Sequence, residues 1–465
     1  MPLILPGNVG SATATTGYDV ANSLRFERSS SDYLSKTFGS GGNRKTATQS
    51  FWMKRSLLST NMMAGLTTTA SGSYYGIQIM TDDVLDIYLY YSGSAWEGRL
   101  KTNRVFRDTN AWYHFVLAWD TTQSTASNRF KLYVNGVQET SFQVETYPNQ
   151  NQDLDWNNNI AHQIMSGGGG TFSGYLAEFV FIDGQALDPT SFGEFDSDSP
   201  TIWKPIDVSG LTFGTNGFYL DFEDSSALGN DAAGSNNFSV SNLTSIDQST
   251  DTCTNNGNTF QPLDLQASTQ TLAEGNLKVT TDSGGDWEVM ASTIGVTSGK
   301  FYFEAKLITL GSNAIIGVID INDARLNTTS SYYIGQSTPG CGYQNNGARP
   351  DTGASFGNSY TANDIIGVAI DMDNLKVYFS KNGTFQNSGD PTSGATGTGA
   401  QDLTANTTYC FAVSGYSSTV WEANFGSPSF SISSGNADGN GYGNFEYAVP
   451  SGYYSLNTKN LAEFG

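Results

Sequence analysis

Residues 112–120 read WYHFVLAWD, and residues 129–137 read RFKLYVNGV. In both stretches apolar and polar residues alternate, which is the pattern of half-buried β-strands. The second stretch contains Asn135-Gly136, a pair that favours the type I′ hairpin because both central residues of that turn need positive φ. We therefore predict two neighbouring strands of an antiparallel sandwich and a tight hairpin at Asn135 and Gly136.

These stretches resemble the signature strands of the laminin G and concanavalin A-like jelly roll. Residues 172–184, FSGYLAEFVFIDG, resemble the closing strand of that fold. The resemblance implies a protein that binds surfaces, glycans or other proteins, and it favours adhesion over catalysis.

A second series of strand patterns lies downstream and resembles the SPRY domain, over residues 270 to 428. Six pieces carry the resemblance, in this order: GKFYFEA (299–305), IIGV (315–318), DIIGVAID (364–371), LKVYFSKNG (375–383), YCFAV (409–413) and NFG (424–426). SPRY domains are recognition modules without catalytic chemistry. The resemblance therefore implies two binding-type sandwiches on one chain.

Composition supports an all-β protein. The chain has 465 residues, of which 38% are hydrophobic and 13% aromatic, and a prior of about 150 residues per domain predicts two to four domains. Helical periodicity is nearly absent; we expect one short turn at residues 188–194, with Asp188 as its cap and Pro189 in the first helical position. The predicted fold class is all-β, with two antiparallel jelly-roll or concanavalin A-like sandwiches in tandem.

The order of patterns along the chain predicts five segments. They are an N-terminal arm (1–20), a laminin G-like sandwich (21–198), a bridging segment packed on that sandwich (199–265), a SPRY-like sandwich (266–428) and a C-terminal tail (429–465). The arm is expected to dock to a neighbour or to be a disordered tail. Aromatic residues in the C-terminal tail predict that it packs against a neighbour or against the body.

Charge and cysteine content narrow the partners and the compartment. Forty-four acidic residues against 22 basic ones give a net charge of −22, which repels phosphate backbones, so nucleic-acid binding is not expected. Cys253, Cys341 and Cys410 are an odd, widely spaced set and do not predict a disulfide framework. Residues 1–8 lack a basic n-region, and no apolar run reaches the roughly 18 residues of a membrane helix, so neither a signal peptide nor membrane insertion is expected.

Several stretches resemble laminin G-like proteins encoded by aquatic bacteriophages. They are PGNVG (6–10), NSLRF (22–26), QSFWMKRS (49–56) and LDFEDSSALGND (220–231). The resemblance implies a protein on the virion surface that is synthesised in the host cytoplasm without a signal peptide.

The carboxylate pattern of concanavalin A-like glucanases is missing from the sequence. Glucanases of the concanavalin A-like class place carboxylates on one strand as Glu-x-Asp-x-Glu or Glu-x-Asp-x-x-Glu, so that alternate side chains share one face, and no such triplet occurs here. His114 and His162 are the only histidines, and His114, within the alternating strand, is expected to be structural. The glycine run at residues 167–170 lacks the Lys-Ser/Thr of a phosphate-binding loop. The sequence predicts a protein that is not an enzyme.

Calcium is the one cofactor that the laminin G resemblance implies, since folds of that type often hold it at the sandwich rim through oxygen ligands. The candidate clusters are Asp82-Asp83 with Asp86, Asp153 with Asp155, and Asp224 with Asn230 and Asp231. None has the spacing of an EF-hand loop, and solvated acidic loops are the alternative interpretation.

Saccharide binding needs exposed aromatic rings beside amides or carboxylates, because an aromatic face covers the apolar side of a pyranose. Trp96 and Trp156 are expected to project from loops of the first sandwich. Four tyrosines between strands of the SPRY-like region are the corresponding candidates: Tyr332, Tyr333, Tyr343 and Tyr360. The alternative for each tyrosine is local packing with a solvated hydroxyl.

Together these patterns predict a phage virion-surface adhesion protein, a tail fibre, spike or capsid fibre, that binds a host-surface glycan or protein non-covalently. The alternative is a decoration or connector protein that binds other virion proteins, and a polysaccharide-degrading enzyme comes third. Because copies on one particle gain avidity, we expect a homo-oligomer, with a trimer favoured by analogy to phage fibres.

Overall fold

The computed structural model describes residues 17–69, 72–91, 96–168, 170–265, 270–326, 331–336 and 339–465. The chain forms two compact units, with the boundary between Thr254 and Asn255. The predicted all-β class is confirmed, since strands dominate both units and the described residues contain a single α-helix, Thr458–Phe464. In the described part of the chain no helix is long and apolar enough to cross a membrane.

The described residues of the first unit form nineteen strands. They are β1 Ser23–Phe26, β2 Tyr33–Thr37, β3 Thr46–Arg55, β4 Met62–Ala64, β5 Leu66–Thr68, β6 Ser73–Ile79, β7 Val84–Tyr91, β8 Trp96–Val105, β9 Tyr113–Asp120, β10 Phe130–Val134, β11 Val137–Gln138, β12 Phe142–Thr146, β13 Ala161–Ile164, β14 Gly174–Asp183, β15 Gly193–Phe195, β16 Trp203–Pro205, β17 Phe218–Leu220, β18 Ser239–Ser241 and β19 Gln248–Ser249. Short 3-10 turns occupy Ala126–Asn128, Pro189–Ser191 and Ser245–Asp247.

Four antiparallel sheets organise these strands. The largest has the order β11-β10-β9-β3-β14-β1-β19, with β17 beside β14. A five-stranded sheet has the order β12-β8-β7-β6-β4, a four-stranded sheet the order β18-β2-β13-β5, and β15 pairs with β16. Apolar residues of the eight-stranded sheet meet apolar residues of the five- and four-stranded sheets in one core, as alternation along each strand requires.

The stretches that open the sequence analysis form β9 and β10, paired in antiparallel register. The predicted hairpin is confirmed: φ is +48° at Asn135 and +77° at Gly136. A Cβ at Gly136 would lie 2.3 Å from the ring of Trp203, so the turn also needs glycine for space. The predicted helical turn is present at Pro189–Ser191, although Asp188 makes no side-chain cap bond and instead accepts a hydrogen bond from Tyr133 Oη at 3.2 Å.

Both faces of the central strands of the eight-stranded sheet are buried. Val116 and Ala118 of β9 face away from the core and pack with Phe192, Val208 and Tyr219. Phe192 lies near the end of the predicted first sandwich, and the other two lie in the predicted bridge. Strands β16 to β19 likewise pair within the first unit. Residues 199–254 of the predicted bridge therefore belong to the first unit, whereas residues 255–265 belong to the second. Of the predicted arm, residues 1–16 lie outside the described residues.

In the part of the second unit that the structure describes there are thirteen strands and the α-helix. They are β20 Thr271–Ala273, β21 Lys278–Thr280, β22 Trp287–Val296, β23 Lys300–Thr309, β24 Asn313–Asp320, β25 Gly340–Gln344, β26 Ile365–Asp371, β27 Lys376–Lys381, β28 Thr384–Phe385, β29 Gln401–Asp402, β30 Tyr409–Tyr416, β31 Val420–Asn424, β32 Tyr454–Ser455 and α1 Thr458–Phe464. A 3-10 segment spans Pro391–Thr396.

Two sheets form the second sandwich. A nine-stranded sheet has the order β20-β21-β31-β23-β26-β27-β28, with β29 beside β27 and β32 parallel to β23; a four-stranded sheet has the order β22-β30-β24-β25. Phe301 and Phe303 of β23 belong to the same core cluster as Phe411 of β30. On the opposite face of the nine-stranded sheet, Phe445 and Tyr453 of the C-terminal tail are buried. The tail therefore packs on the body of its own unit.

Candidate functional site

The outer face of the five-stranded sheet carries a row of aromatic side chains. Tyr74 of β6 lies directly opposite Tyr90 of β7, and Tyr90 lies directly opposite Trp96 of β8. Residues that alternate with them, such as Tyr75 and Leu89, enter the core. Because neighbours in a strand point to opposite faces, the three rings are directed outward. We call Tyr74, Tyr90 and Trp96 the first aromatic row.

The rings of the first aromatic row are close enough to act together. Their centroids follow one another at 6.2 Å (Tyr74 to Tyr90) and 5.2 Å (Tyr90 to Trp96), with interplanar angles of 35° and 59°. Tyr74 is 44% exposed and Trp96 46% exposed, although large aromatic side chains are usually mostly buried. The row is therefore a twisted apolar strip that is open to solvent.

A second row holds the aromatic row in place. Gly76, Tyr88 and Arg99 lie opposite one another on the same face. The Arg99 guanidinium lies 4.7 Å from the Trp96 ring centroid and donates two hydrogen bonds to Asp86, at 3.0 and 2.7 Å. These bonds raise the pKa of Arg99, and burial, with the charge of Asp86, raises the pKa of Tyr88 to about 12. Trp96 is thus oriented before any ligand binds.

Polar side chains continue the face on the other side of that row. Gln78 and Lys101 both lie opposite Asp86, and Lys101 donates a hydrogen bond to Asp82 at 3.0 Å. Each cation on the face is therefore matched by a carboxylate. The face offers aromatic surface on one side and hydrogen-bonding groups on the other, with little net charge, which is the chemistry that an uncharged pyranose requires.

The structure separates the two predicted tryptophans. Trp96 is exposed, but it begins a strand instead of projecting from a loop. Trp156 is fully buried; its indole N–H donates to the Leu66 carbonyl at 3.0 Å, and its ring packs 5.4 Å from that of Trp119. The expectation that Trp156 projects to solvent is wrong, because its loop folds into the core.

Three of the four predicted tyrosines are also buried. The Tyr332 hydroxyl donates to Asp323 at 2.7 Å, the Tyr343 hydroxyl donates to a backbone carbonyl, and the Tyr360 hydroxyl lies 2.8 Å from the Tyr343 carbonyl oxygen. The expectation that they form an exposed loop surface is wrong, since each hydroxyl is used within the fold. Tyr333 is half-buried.

The first predicted calcium cluster has cationic partners instead of a shared metal position. Asp82 pairs with Lys101. Asp83 is buried and pairs with Arg55 at 2.9 Å and with Arg107 at 3.0 Å. Carboxylates committed to cations in this way are poorly placed as calcium ligands.

In each of the other two predicted calcium clusters, one carboxylate is already paired within the fold. Asp155 pairs with Arg44 at 2.6 Å, and Asp153 is exposed. The Asp231 carboxylate accepts the backbone N–H groups of Tyr219 and Asn236. Over the ranges given above for the structure, no group of three or more His, Cys, Asp or Glu side chains is arranged to hold a metal ion.

The two histidines are enclosed by the first unit. Burial lowers the pKa of His114 to about 3 and that of His162 to about 4. His114 Nδ1 accepts from the Trp203 indole N–H at 2.9 Å, and its Nε2 lies 2.8 Å from Ser50 Oγ. Both rings therefore stay neutral above pH 5. Neither histidine lies on the five-stranded sheet that carries the first aromatic row.

Two buried glutamates have strongly perturbed pKa values, which is a common feature of catalytic groups. Burial raises the pKa of Glu178 and of Glu304 to about 7. Glu178 has φ +51° at a bulge in β14 and accepts hydrogen bonds from Tyr219 (2.8 Å) and Tyr18 (3.1 Å). Glu304 accepts backbone N–H groups of the C-terminal tail. Both carboxyl groups are enclosed. Their hydrogen bonds hold Tyr18 and Tyr219 in the first unit and the C-terminal tail in the second.

A polar groove of about 830 Å³ lies elsewhere on the first unit, between residues 225–230 and 237–245. About half of its lining residues carry a hydroxyl or an amide, and its one aromatic residue, Phe238, is buried. The groove lacks the exposed ring that stacking on a sugar needs.

Sequence reasoning missed Tyr74 and Tyr90 because it sought binding residues in loops. A signal was present: in residues 86–90, DIYLY, the alternation that sends Ile87 and Leu89 to the core sends Tyr88 and Tyr90 to the other face.

Comparison with known proteins finds a family match within the first unit. Residues 28–190, which include the whole aromatic face, match the family described as the concanavalin A-like lectin/glucanases superfamily. A domain of this lectin-like kind suggests non-covalent binding of glycans or proteins. No curated protein sequence matches the chain.

Similar solved structures include the SPRY domain of human HERC1 (18% identity, 35% of this chain and 96% of that chain, TM-score 0.27). Stonustoxin is similar at 16% identity over 36% of this chain and 27% of that chain, with a TM-score of 0.27. The heptameric SAP-like pentraxin from Limulus polyphemus is similar at 15% identity over 37% of this chain and 80% of that chain, with a TM-score of 0.27.

Proposed function

We propose that the protein binds a single chain of neutral hexopyranoses through the outer face of its five-stranded sheet, without cleaving it. The observation that carries this proposal is the solvent-exposed first aromatic row. Its rings are spaced roughly as successive sugars are in a polysaccharide chain, and their mutual tilt suits a twisted soluble chain better than a flat crystalline surface. Arg99, fixed by Asp86, preorganises the site and so limits the entropy lost on binding.

Non-covalent recognition fits the carboxylates of this face. Glycoside hydrolysis needs two carboxyl groups flanking the scissile bond, one of them able to donate a proton. Asp86 is held by Arg99 and Asp82 by Lys101. Glu178, with its raised pKa, lies on the eight-stranded sheet and accepts hydrogen bonds from Tyr219 and Tyr18. These arrangements favour a binding protein over an enzyme.

The setting we propose is the surface of a bacteriophage virion, where the protein serves as a tail fibre, spike or capsid fibre and engages a host-surface glycan. The stretches that resemble phage-encoded laminin G-like proteins support this setting. A homo-oligomer, with a trimer favoured, would multiply weak single sites by avidity. The second candidate is a connector that binds other virion proteins, which the same lectin-like fold would also serve.

The test is a glycan array probed with the full chain and with Trp96→Ala. Stacking of a nucleic-acid base on an aromatic ring contributes about 1–3 kcal/mol. Taking the low end, about 1 kcal/mol, for a sugar, we expect Trp96→Ala to weaken binding about fivefold. Phe195→Ala is the matched control, because Phe195 is 43% exposed but lies in the two-stranded sheet. Equal binding by wild type and Trp96→Ala would contradict the proposed site.

Further assays on the same protein distinguish the enzyme and the connector from the proposed glycan-binding protein. Release of reducing sugar from a bound glycan would favour the enzyme. Co-purification with capsid or tail proteins without any glycan binding would favour the connector. Immunogold labelling of purified virions tests the location, and a monomeric mass on the particle and in solution would contradict the oligomer.

A further inference from the structure

The second unit carries a cross-strand row with the same construction as the first aromatic row. Trp287 of β22 lies directly opposite Tyr416 of β30, and Tyr416 lies directly opposite Asn313 of β24. The three residues cross three adjacent strands on the face of the four-stranded sheet that points away from the main core, since Met290 and Val413 point into that core. A row of two rings and an amide therefore runs across the sheet.

A third ring completes this cluster. Tyr333 lies in the segment that packs over the sheet, and its ring centroid is 4.9 Å from that of Trp287; Tyr416 is 5.6 Å from Trp287. All three rings are half-buried. Asn313 Oδ1 accepts from Gln344 Nε2 at 3.3 Å, which leaves the Asn313 NH2 as a donor beside the rings. We call Trp287, Tyr333, Tyr416, Asn313 and Gln344 the second aromatic cluster.

The polar tips of the rings are not used by the fold. Among the described residues, no group hydrogen-bonds to the hydroxyls of Tyr333 and Tyr416 or to the indole N–H of Trp287. Half-buried rings with solvated tips offer a ligand apolar surface and hydrogen bonds at once. The cluster itself contains no charged side chain, and the charges nearest to Trp287 in sequence, Asp286 and Glu288, are acidic.

We propose that the second aromatic cluster is a second saccharide-binding site, specific for uncharged pyranoses, so that one chain carries two sites. The proposal rests on the proposed function of the first aromatic row in one respect only, that the protein binds glycans. The acidic neighbours would repel sialic or uronic acids, so uncharged pyranoses are the ligands that fit this cluster. Two sites on one chain raise avidity without new contacts.

The experiment compares the full chain with Trp96→Ala, Trp287→Ala and the double variant. The probe is an array of neutral β-glucan, mannan and galactan oligosaccharides, with sialylated and uronic oligosaccharides as the acidic arm. Tyr442→Ala is the control, because Tyr442 is a half-buried ring of the same unit that contacts Lys459 instead. Tyr416→Phe removes only a hydroxyl and guards against loss of fold in Trp287→Ala.

We expect Trp96→Ala to retain binding to some neutral glycans, and Trp287→Ala, added to it, to weaken that remainder at least about tenfold. Tyr416→Phe should weaken the same signals, and Tyr442→Ala should not. Loss of all binding in Trp96→Ala, with folded Trp287→Ala and Tyr416→Phe binding as wild type, overturns the second site while the proposed function stands. If Trp287→Ala loses binding while Trp96→Ala binds as wild type, the second site is supported and the first is overturned. Absence of binding to every neutral glycan overturns both.

Discussion

The C-terminal tail is held on the second unit by Glu304, and replacing this residue should change how stability depends on pH. The Glu304 carboxyl is fully buried. It accepts the backbone N–H groups of Glu446 at 2.9 Å and Tyr447 at 2.8 Å, and the hydroxyl of Tyr302 at 3.1 Å. Burial outweighs these bonds and raises its pKa from 4.5 to about 7. The ionised carboxylate is therefore disfavoured in the folded unit.

The sign and size of the effect follow from linkage. Because the folded pKa lies above the unfolded pKa, the folded unit binds more protons between pH 4.5 and 7. Its free energy of unfolding consequently falls as the pH rises through that window, and the penalty is complete above pH 7. At 1.36 kcal/mol per pKa unit, a shift of this size corresponds to about 3 kcal/mol. Glu304→Gln removes the titrating group, so the variant should lose most of this pH dependence, whatever its absolute stability.

Pulsed hydrogen exchange in urea at pH 5, 6, 7 and 8 measures this, because peptides from each unit report the unfolding of that unit. The control is Glu446→Gln: hydrogen bonds from Ser433 lower the pKa of Glu446, so its titration ends below the window and the slope from pH 5 to 7 should stay as in wild type. An unchanged slope for second-unit peptides in Glu304→Gln would refute the reasoning. So would a slope that changes only in first-unit peptides.

Two further substitutions test the packing. Gly76→Ala should weaken glycan binding and lower the free energy of unfolding by about 1–3 kcal/mol through overpacking, since the added Cβ would lie 2.6 Å from Met63 Cε and 2.8 Å from the Tyr88 hydroxyl. Glycan titration measures the first effect and urea unfolding the second. Gly168→Ala, with open space around its Cβ, is the control. Phe445→Ala should lower the free energy of unfolding of the second unit by about 3–5 kcal/mol, a large part of a domain's stability, because Phe445 is fully buried against Tyr302. Near-wild-type unfolding of second-unit peptides would show that the tail is dispensable for the stability of that unit.

The sequence predicted the strands better than the surface. The β9–β10 hairpin followed from alternation and Asn-Gly chemistry, which are local properties. Trp156 stands between polar residues, and its neighbourhood favoured a solvent-exposed loop, but Arg44 neutralises Asp155 and the loop folds inward. That pairing joins residues far apart in the chain, so no local pattern could show it. Tyr90 illustrates the opposite case, because its outward direction was readable from alternation.

The position of the two aromatic surfaces follows from how each unit covers its larger sheet. In the first unit, side chains such as Phe192 and Val208 pack on the outer face of the eight-stranded sheet. In the second unit, Phe445 and Tyr453 do the same for the nine-stranded sheet. Apolar surface hidden in this way stabilises the fold and is unavailable to a ligand. The two aromatic surfaces lie on the smaller sheets, where Tyr74 and Trp96 keep nearly half of their area exposed. Exposed aromatic area of this kind contributes little to folding, so a selective pressure other than stability must keep it, and ligand recognition supplies one.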